Sequence, residues 1–190
     1  MSDLHIGIFG PGLSGKTTLA KHYSRAAWAR HGIKSICLDI HREVWGPQAL
    51  VTSNPEAFEK VVWAEKSCLV FIDESSDTIA RDKGMTKFFT RIRHNGHKLV
   101  VIGHDGSSLL PVMRQQLQTL ALFRQSEDPA KDWAKLYGNK KLLESCTLGQ
   151  HEFLWCEFYP GTAVKCKLAL GNQPVQTNLG EPNISRPDRI

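Results

Sequence analysis

The sequence has no run of eighteen apolar residues, so it predicts no membrane-spanning helix. Its opening, MSDLHIGIFG, lacks the basic start and small-residue cleavage site of a secretory signal. Cysteine is scarce and odd in number, five residues at irregular spacing with no C-x-x-C pair. That argues against a disulfide scaffold and for a reducing compartment. Internal repeats and low-complexity tracts are also missing. With 41% hydrophobic and 23% charged residues, a chain of 190 predicts one ordinary domain with a real core. These readings together predict a cytosolic protein.

Positive charge, by contrast, is in excess. The formal net charge is +5 and the pI is near 9.0. The cations cluster in TRIRHNGHK (90–98) and KDWAKLYGNKK (131–141). Such a balance suits a polyanionic partner, and it equally suits a solvated basic surface.

Short apolar runs alternate with helix-like stretches. Strands are predicted at 4–9, 35–40, 68–73, 98–103 and 119–124, with helices at about 16–31, 55–65, 84–94 and 111–118. Asn54 before Pro55 is a helix start, since Asn caps free amides and Pro fits the first turn. Gly32 and Gly96 stand where helices should stop. The alternation predicts an α/β fold, a mostly parallel central sheet flanked by helices. After 125 the rhythm changes to one or two helices broken near Gly138. A small C-terminal hairpin, EFLWCEF and AVKCKLAL, turns through YPGT (159–162). The expected organisation is a domain over 1–170 and a polar, Pro-rich tail over 171–190.

Gly10-Pro11-Gly12-Leu13-Ser14-Gly15-Lys16-Thr17 matches G-x-x-x-x-G-K-[ST] between a strand and a helix. Glycines let successive N–H groups turn inward around a phosphate, and the helix aims its positive end at the same anion. Lys16 would reach the β- and γ-phosphates, and the Thr17 hydroxyl would join a Mg²⁺ shell. Gly10 through Thr17, with Thr18 behind them, are thus the candidate nucleotide site. The run Leu69–Ile72 delivers Asp73 and Glu74 to the C-terminal edge of a sheet, where ligands bind in open parallel sheets. Asp73 would hold Mg²⁺ through water and Glu74 would polarise a water for attack on the γ-phosphate. A guanine-reading N-K-x-D is missing, and a carboxylate directly after the magnesium aspartate favours hydrolysis. The pattern predicts an ATPase with ATP and Mg²⁺ as its ligands.

His104 ends the strand 98–103, where it could contact the γ-phosphate and Glu74; it could also be a plain surface histidine. Arg93, in RHNG, is expected to close its helix at the same sheet edge as Glu74. There it could stabilise transition-state charge on a neighbouring subunit. Arg91 and Arg81 lie nearby in sequence.

GPGLSGKT, LVFIDE, RIRHNGHKLVVIGHD and LPVMRQQLQTLALFR together resemble the FtsK–HerA group of P-loop ATPases. They resemble most the genome-packaging ATPases of tailless icosahedral viruses with internal membranes. The resemblance covers about residues 4–125, with EFLWCEF as a weaker echo. It implies an additional-strand P-loop fold and a ring of identical subunits. It also implies ATP-driven movement of double-stranded DNA into a preformed capsid, in host cytoplasm or at a virion vertex. Lys16 and Thr17 match the phosphate loop, Asp73 and Glu74 the second motif, and His104 the sensor. Arg93 matches the arginine before the sensor strand that can act in trans, and Arg114 a further basic position of unassigned role. The sensor is usually glutamine in that group, and histidine stands here. The Zot-like assembly ATPases of filamentous phages are similar in RH-x-G and the sensor strand, though they normally continue into a membrane-spanning helix. A P-loop module with little turnover, or a small-molecule kinase suggested by size, are the readings of other classes.

Cys146, His151, Cys156 and Cys166 lack zinc-ligand spacing, so buried structural cysteines are expected. Trp28, Trp63 and Trp133 recur at helical spacing and are expected in the core.

Overall fold

A computed structural model describes residues 5–73, 83–159 and 161–168. Glu74, Arg81 and the tail from 171 lie outside the described residues. The strands are β1 (His5–Phe9), β2 (Ser35–Leu38), β3 (Ala49–Thr52), β4 (Leu69–Ile72), β5 (Lys98–Gly103), β6 (Leu117–Phe123), β7 (Glu152–Glu157) and β8 (Ala163–Lys167). They form one sheet in the order β3-β2-β4-β5-β1-β6-β7-β8. The first six are parallel, and β7 and β8 join antiparallel at one edge. The α/β fold is therefore that expected, and the C-terminal hairpin extends the main sheet.

β1 and β4 are separated by β5, which inserts between the strand leading to the phosphate loop and the strand leading to Asp73. This is the additional-strand arrangement. Phosphate loop, Asp73 and His104 all follow the C-terminal ends of adjacent parallel strands, so topology alone gathers them on one edge.

The described helices are α1 (Lys16–His31), α2 (Pro55–Ala64), α3 (Thr86–Thr90), α4 (Pro111–Arg114) and α5 (Glu127–Tyr137). Asn54 caps α2, its side chain accepting from the Glu56 and Ala57 amides at 2.9 and 3.1 Å. Gly32 and Gly96 stop their helices in the left-handed conformation, as expected.

Alternate strand residues feed two cores. Phe9, Val70, Ile72, Val101 and Leu122 face one, with Phe58, Phe88, Met113 and Trp133. Ile6, Ile8, Phe71, Val100 and Ala121 face the other, with Ala20 and Trp45.

Several sequence expectations are corrected. The helix expected over 84–94 is three short pieces, 3-10 turns at Lys83–Met85 and Ile92–Asn95 flanking α3. The helix expected over 111–118 ends at Arg114, because Leu117 already enters β6. β3 was not expected: it is only four residues long and half-exposed at a sheet edge, and its apolar stretch, Ala49 to Val51, is too short to announce a strand. Trp28 is 43% exposed rather than in the core, while Trp63 is half-buried and Trp133 buried.

Trp133 ties α5 to the site edge. Its ring stacks on Phe9 at 5.0 Å and its Nε1 donates to the Asp105 carbonyl at 2.8 Å. Gly106 leaves room for it, since a Cβ there would stand 2.4 Å from the indole. We expect Trp133→Ala to cost about 3–5 kcal/mol of stability, through lost packing and an orphaned carbonyl. Urea unfolding checks this, and a loss below about 1 kcal/mol would contradict the placement.

Candidate nucleotide site

β1 delivers the chain to Gly10, whose N–H donates to the Gly103 carbonyl at 3.2 Å. Gly10 is buried, and a Cβ there would lie 2.5 Å from Phe123 Cβ and 3.0 Å from Ser14 Oγ. Pro11, Gly12 and Leu13 are exposed, Leu13 in the left-handed conformation at φ 60°. Ser14 turns back inward, and its buried Oγ has no hydrogen-bond partner among the described residues. Gly15, at φ 105°, is the N-cap of α1. Thr18 is exposed on the first turn of that helix.

Lys16 is buried, and its Nζ donates to the Pro11 carbonyl at 2.9 Å, so the ammonium lies across the loop. Thr17 Oγ1 donates to Asp73 Oδ2 at 3.0 Å, joining residues 56 apart in sequence. Asp73 is itself buried and held by its N–H on the Leu38 carbonyl at 2.9 Å. Lys16, Thr17 and Asp73 thus meet at one end of the sheet.

This donor set fits the expected ligands. Hydroxyl and carboxylate oxygens are the hard donors a magnesium ion takes, directly or through water. A buried Ser14 hydroxyl with no partner among the described residues, a loop lysine and a glycine that excludes any side chain make a cradle for phosphate.

His104 is exposed and follows β5 directly beside the loop; its carbonyl accepts from Gln125 Nε2 at 3.3 Å. With Pro11, Asp105, Arg124, Gln125, Glu127 and Cys146, it lines a cleft opening next to the phosphate loop. Contact between His104 and Glu74 concerns a residue outside those described.

Arg93 does not stand where the sequence reading put it. It lies in the 3-10 turn that precedes β5, at the N-terminal edge of the sheet, with its Nη2 donating to Gln116 Oε1 at 2.6 Å just before β6. The six residues of β5 span about 20 Å, so its own phosphate loop is beyond its reach. Arg114 shares that edge, 4.0 Å from Asp132, with a buried Nε that has no partner among the described residues.

Sequence reasoning missed His151 as a neighbour of the site, weighing it only against zinc. It stands in the turn before β7 at φ 62°, with Nδ1 3.1 Å from the Ser14 carbonyl. Among the described residues no cluster of three or more His, Cys, Asp or Glu could hold a metal. Burial pushes the Cys37 thiol up, helped by the Asp39 and Asp73 carboxylates, and pushes Cys156 up to about 11. Cys68 and Cys166 shift the same way, again chiefly through burial. A thiol shifted in this direction presents less of the reactive thiolate, which suits the structural role expected of Cys156 and Cys166; Cys146, expected to be buried with them, is only half-buried. On brief iodoacetamide treatment of the native protein at neutral pH, we expect alkylation at half-buried Cys146 alone. Peptide mass spectrometry would contradict this if Cys37 or Cys156 reacted as fast.

No protein-family model matches the chain, and no curated protein matches it. Solved structures do. The genome-packaging NTPase B204 from Sulfolobus turreted icosahedral virus 2, in complex with ATP-γS, aligns with a TM-score of 0.72 at 21% identity, covering 90% of this chain and 100% of that one. The cytoplasmic domain of the Thermomonospora curvata type VII secretion ATPase EccC aligns with a TM-score of 0.64 at 12% identity, covering 90% of this chain and 24% of that one. The N-terminal domain of zonular occludens toxin from Neisseria meningitidis aligns with a TM-score of 0.57 at 14% identity, covering 90% and 96%. The chain therefore has the additional-strand P-loop NTPase fold, the fold of viral genome-packaging NTPase B204.

Proposed function

We propose that the protein is an ATP-hydrolysing motor that moves double-stranded DNA into a preformed viral capsid. The observation that carries the hydrolytic part is the Thr17–Asp73 hydrogen bond beside the buried Lys16. It unites the two halves of a nucleotide site. Thr17 and Asp73 would hold Mg²⁺, whose role is to neutralise charge on the phosphate oxygens. Lys16 would exchange its loop carbonyl for those oxygens. Glu74, next in sequence to Asp73, would accept a proton from the attacking water. His104 would report the γ-phosphate to the cleft beside it.

Fold alone does not choose the cargo, because a secretion ATPase and a packaging NTPase share it. The support for DNA is the likeness of motifs, the net charge of +5 and the placement of the cations. Arg91 and Arg93 precede β5, and Lys140 and Lys141 follow α5 at the sheet's N-terminal edge, away from the nucleotide. Lys98, also on that edge, rests on Tyr23 through a 2.9 Å hydrogen bond. These would grip backbone phosphates without reading sequence. Arg93 would serve catalysis only across a subunit boundary, in a homo-oligomeric ring. Capsid or portal vertex and host cytoplasm follow from the same reading. No helix among the described residues is long and apolar enough to cross a membrane. The Zot-like assembly reading is supported by a lower TM-score, 0.57.

Glu74→Gln should bind ATP within about threefold of the parent and release phosphate about 10²–10⁴ times more slowly. Normal turnover in that variant would overturn the base assignment. Long duplex DNA should stimulate the parent's phosphate release, and Lys141→Ala should flatten the salt dependence of DNA affinity by about one unit of log–log slope. An ATPase indifferent to DNA would sink the motor reading and leave the nucleotide site standing.

A further inference from the structure

We infer that His151 is a positioning residue that aims the Gly15 N–H into the phosphate loop. The inference rests on the nucleotide site proposed above and adds a component from outside its sequence motifs.

The argument begins with strand direction. β7 runs antiparallel to β6, with Phe123 opposite Phe153, so β7 must start at the edge where β6 ends. β8 returns antiparallel, with Lys167 opposite Glu152, and so ends at that edge. The hairpin thus brings His151 and Leu168 to the outer flank of the phosphate loop. The two are joined by the Leu168 N–H donating to the His151 carbonyl at 2.8 Å. A Cβ on Gly15 would stand 2.7 Å from Leu168 Cδ2 and 3.3 Å from His151 Nδ1, so the hairpin is packed against bare loop backbone.

The Ser14 carbonyl can only accept, so His151 Nδ1 carries the proton in their 3.1 Å contact. A trans peptide points the carbonyl of residue 14 and the N–H of residue 15 in opposite directions. Holding the Ser14 oxygen outward on His151 therefore turns the Gly15 N–H inward, toward the side where Lys16 crosses the loop. As the N-cap residue of α1, Gly15 has an N–H outside the helix's own ladder and free to serve an anion. His151 itself holds a left-handed φ of 62°, which an L-residue adopts at a cost.

Three substitutions separate hydrogen bond from backbone. His151→Gly relaxes the turn and removes the donor. His151→Asn suits the turn and returns an N–H at the place of Nδ1. His151→Ala removes the donor and keeps the strain. The probe is a non-hydrolysable ATP analogue with Mg²⁺, titrated calorimetrically, with thermal unfolding recorded on each variant. We expect His151→Gly and His151→Ala to bind about tenfold more weakly, the value of one hydrogen bond, and His151→Asn to stay within about threefold of the parent. His151→Gly should unfold at or above the parent's temperature. If His151→Gly is folded and binds as tightly as the parent, or His151→Asn fails to restore affinity, the inference is wrong while the nucleotide site survives. If the parent itself binds no nucleotide, the site reading falls and takes this one with it.

Discussion

A single hydrogen bond organises the functional edge. Thr17 Oγ1 on Asp73 Oδ2, at 3.0 Å, closes a gap of 56 residues and ties the first turn of α1 to the end of β4. Neither strand touches the other: β5 lies between them. The bond is possible because three adjacent parallel strands end at the same edge of the sheet and because both partners are held from behind. Thr17 is fixed by the helix that Gly15 caps, and Asp73 by its amide on the Leu38 carbonyl. A carboxylate this buried is costly without a donor, so the bond serves stability as well as geometry.

The sheet separates two chemistries by its polarity. Strand C-termini carry the loop, Asp73, His104 and the cleft. Strand N-termini carry Arg93, Arg114, Lys140 and Lys141. Two buried histidines consolidate that second edge. His97 accepts the Cys68 amide on Nδ1 and reaches the Val62 carbonyl with Nε2, while His5 accepts the Leu99 amide and reaches the Phe89 carbonyl. Each ring bridges two backbone groups distant from it in sequence, which fixes the approaches to β4 and β5.

Much of this was legible in the chain. The glycine-rich loop, Lys16, Thr17 and Asp73 are local signals whose meeting follows from parallel topology, and alternating apolar runs gave that topology. Asn54, Gly32 and Gly96 marked helix ends because capping is a local preference. What escaped was non-local or weak in pattern. β3 is short and half-exposed. Arg93 was placed at the wrong edge because β4 and β5 are parallel, so the segment joining them must return to the strand N-termini before β5 begins, the end of the sheet opposite Asp73. His151 meets Ser14 across 137 residues, through an antiparallel hairpin whose docking onto β6 no periodicity announces.

The central claim is that Thr17 and Asp73 act as one unit on a single magnesium-bound triphosphate. A double-mutant cycle of Thr17→Ala and Asp73→Ala, read as affinity for a Mg²⁺–ATP analogue, tests it most directly. Two groups sharing one ion should lose far less together than the sum of their separate losses, a coupling of about 1–3 kcal/mol. Strictly additive losses would mean that the two side chains serve different places, and the account would fail.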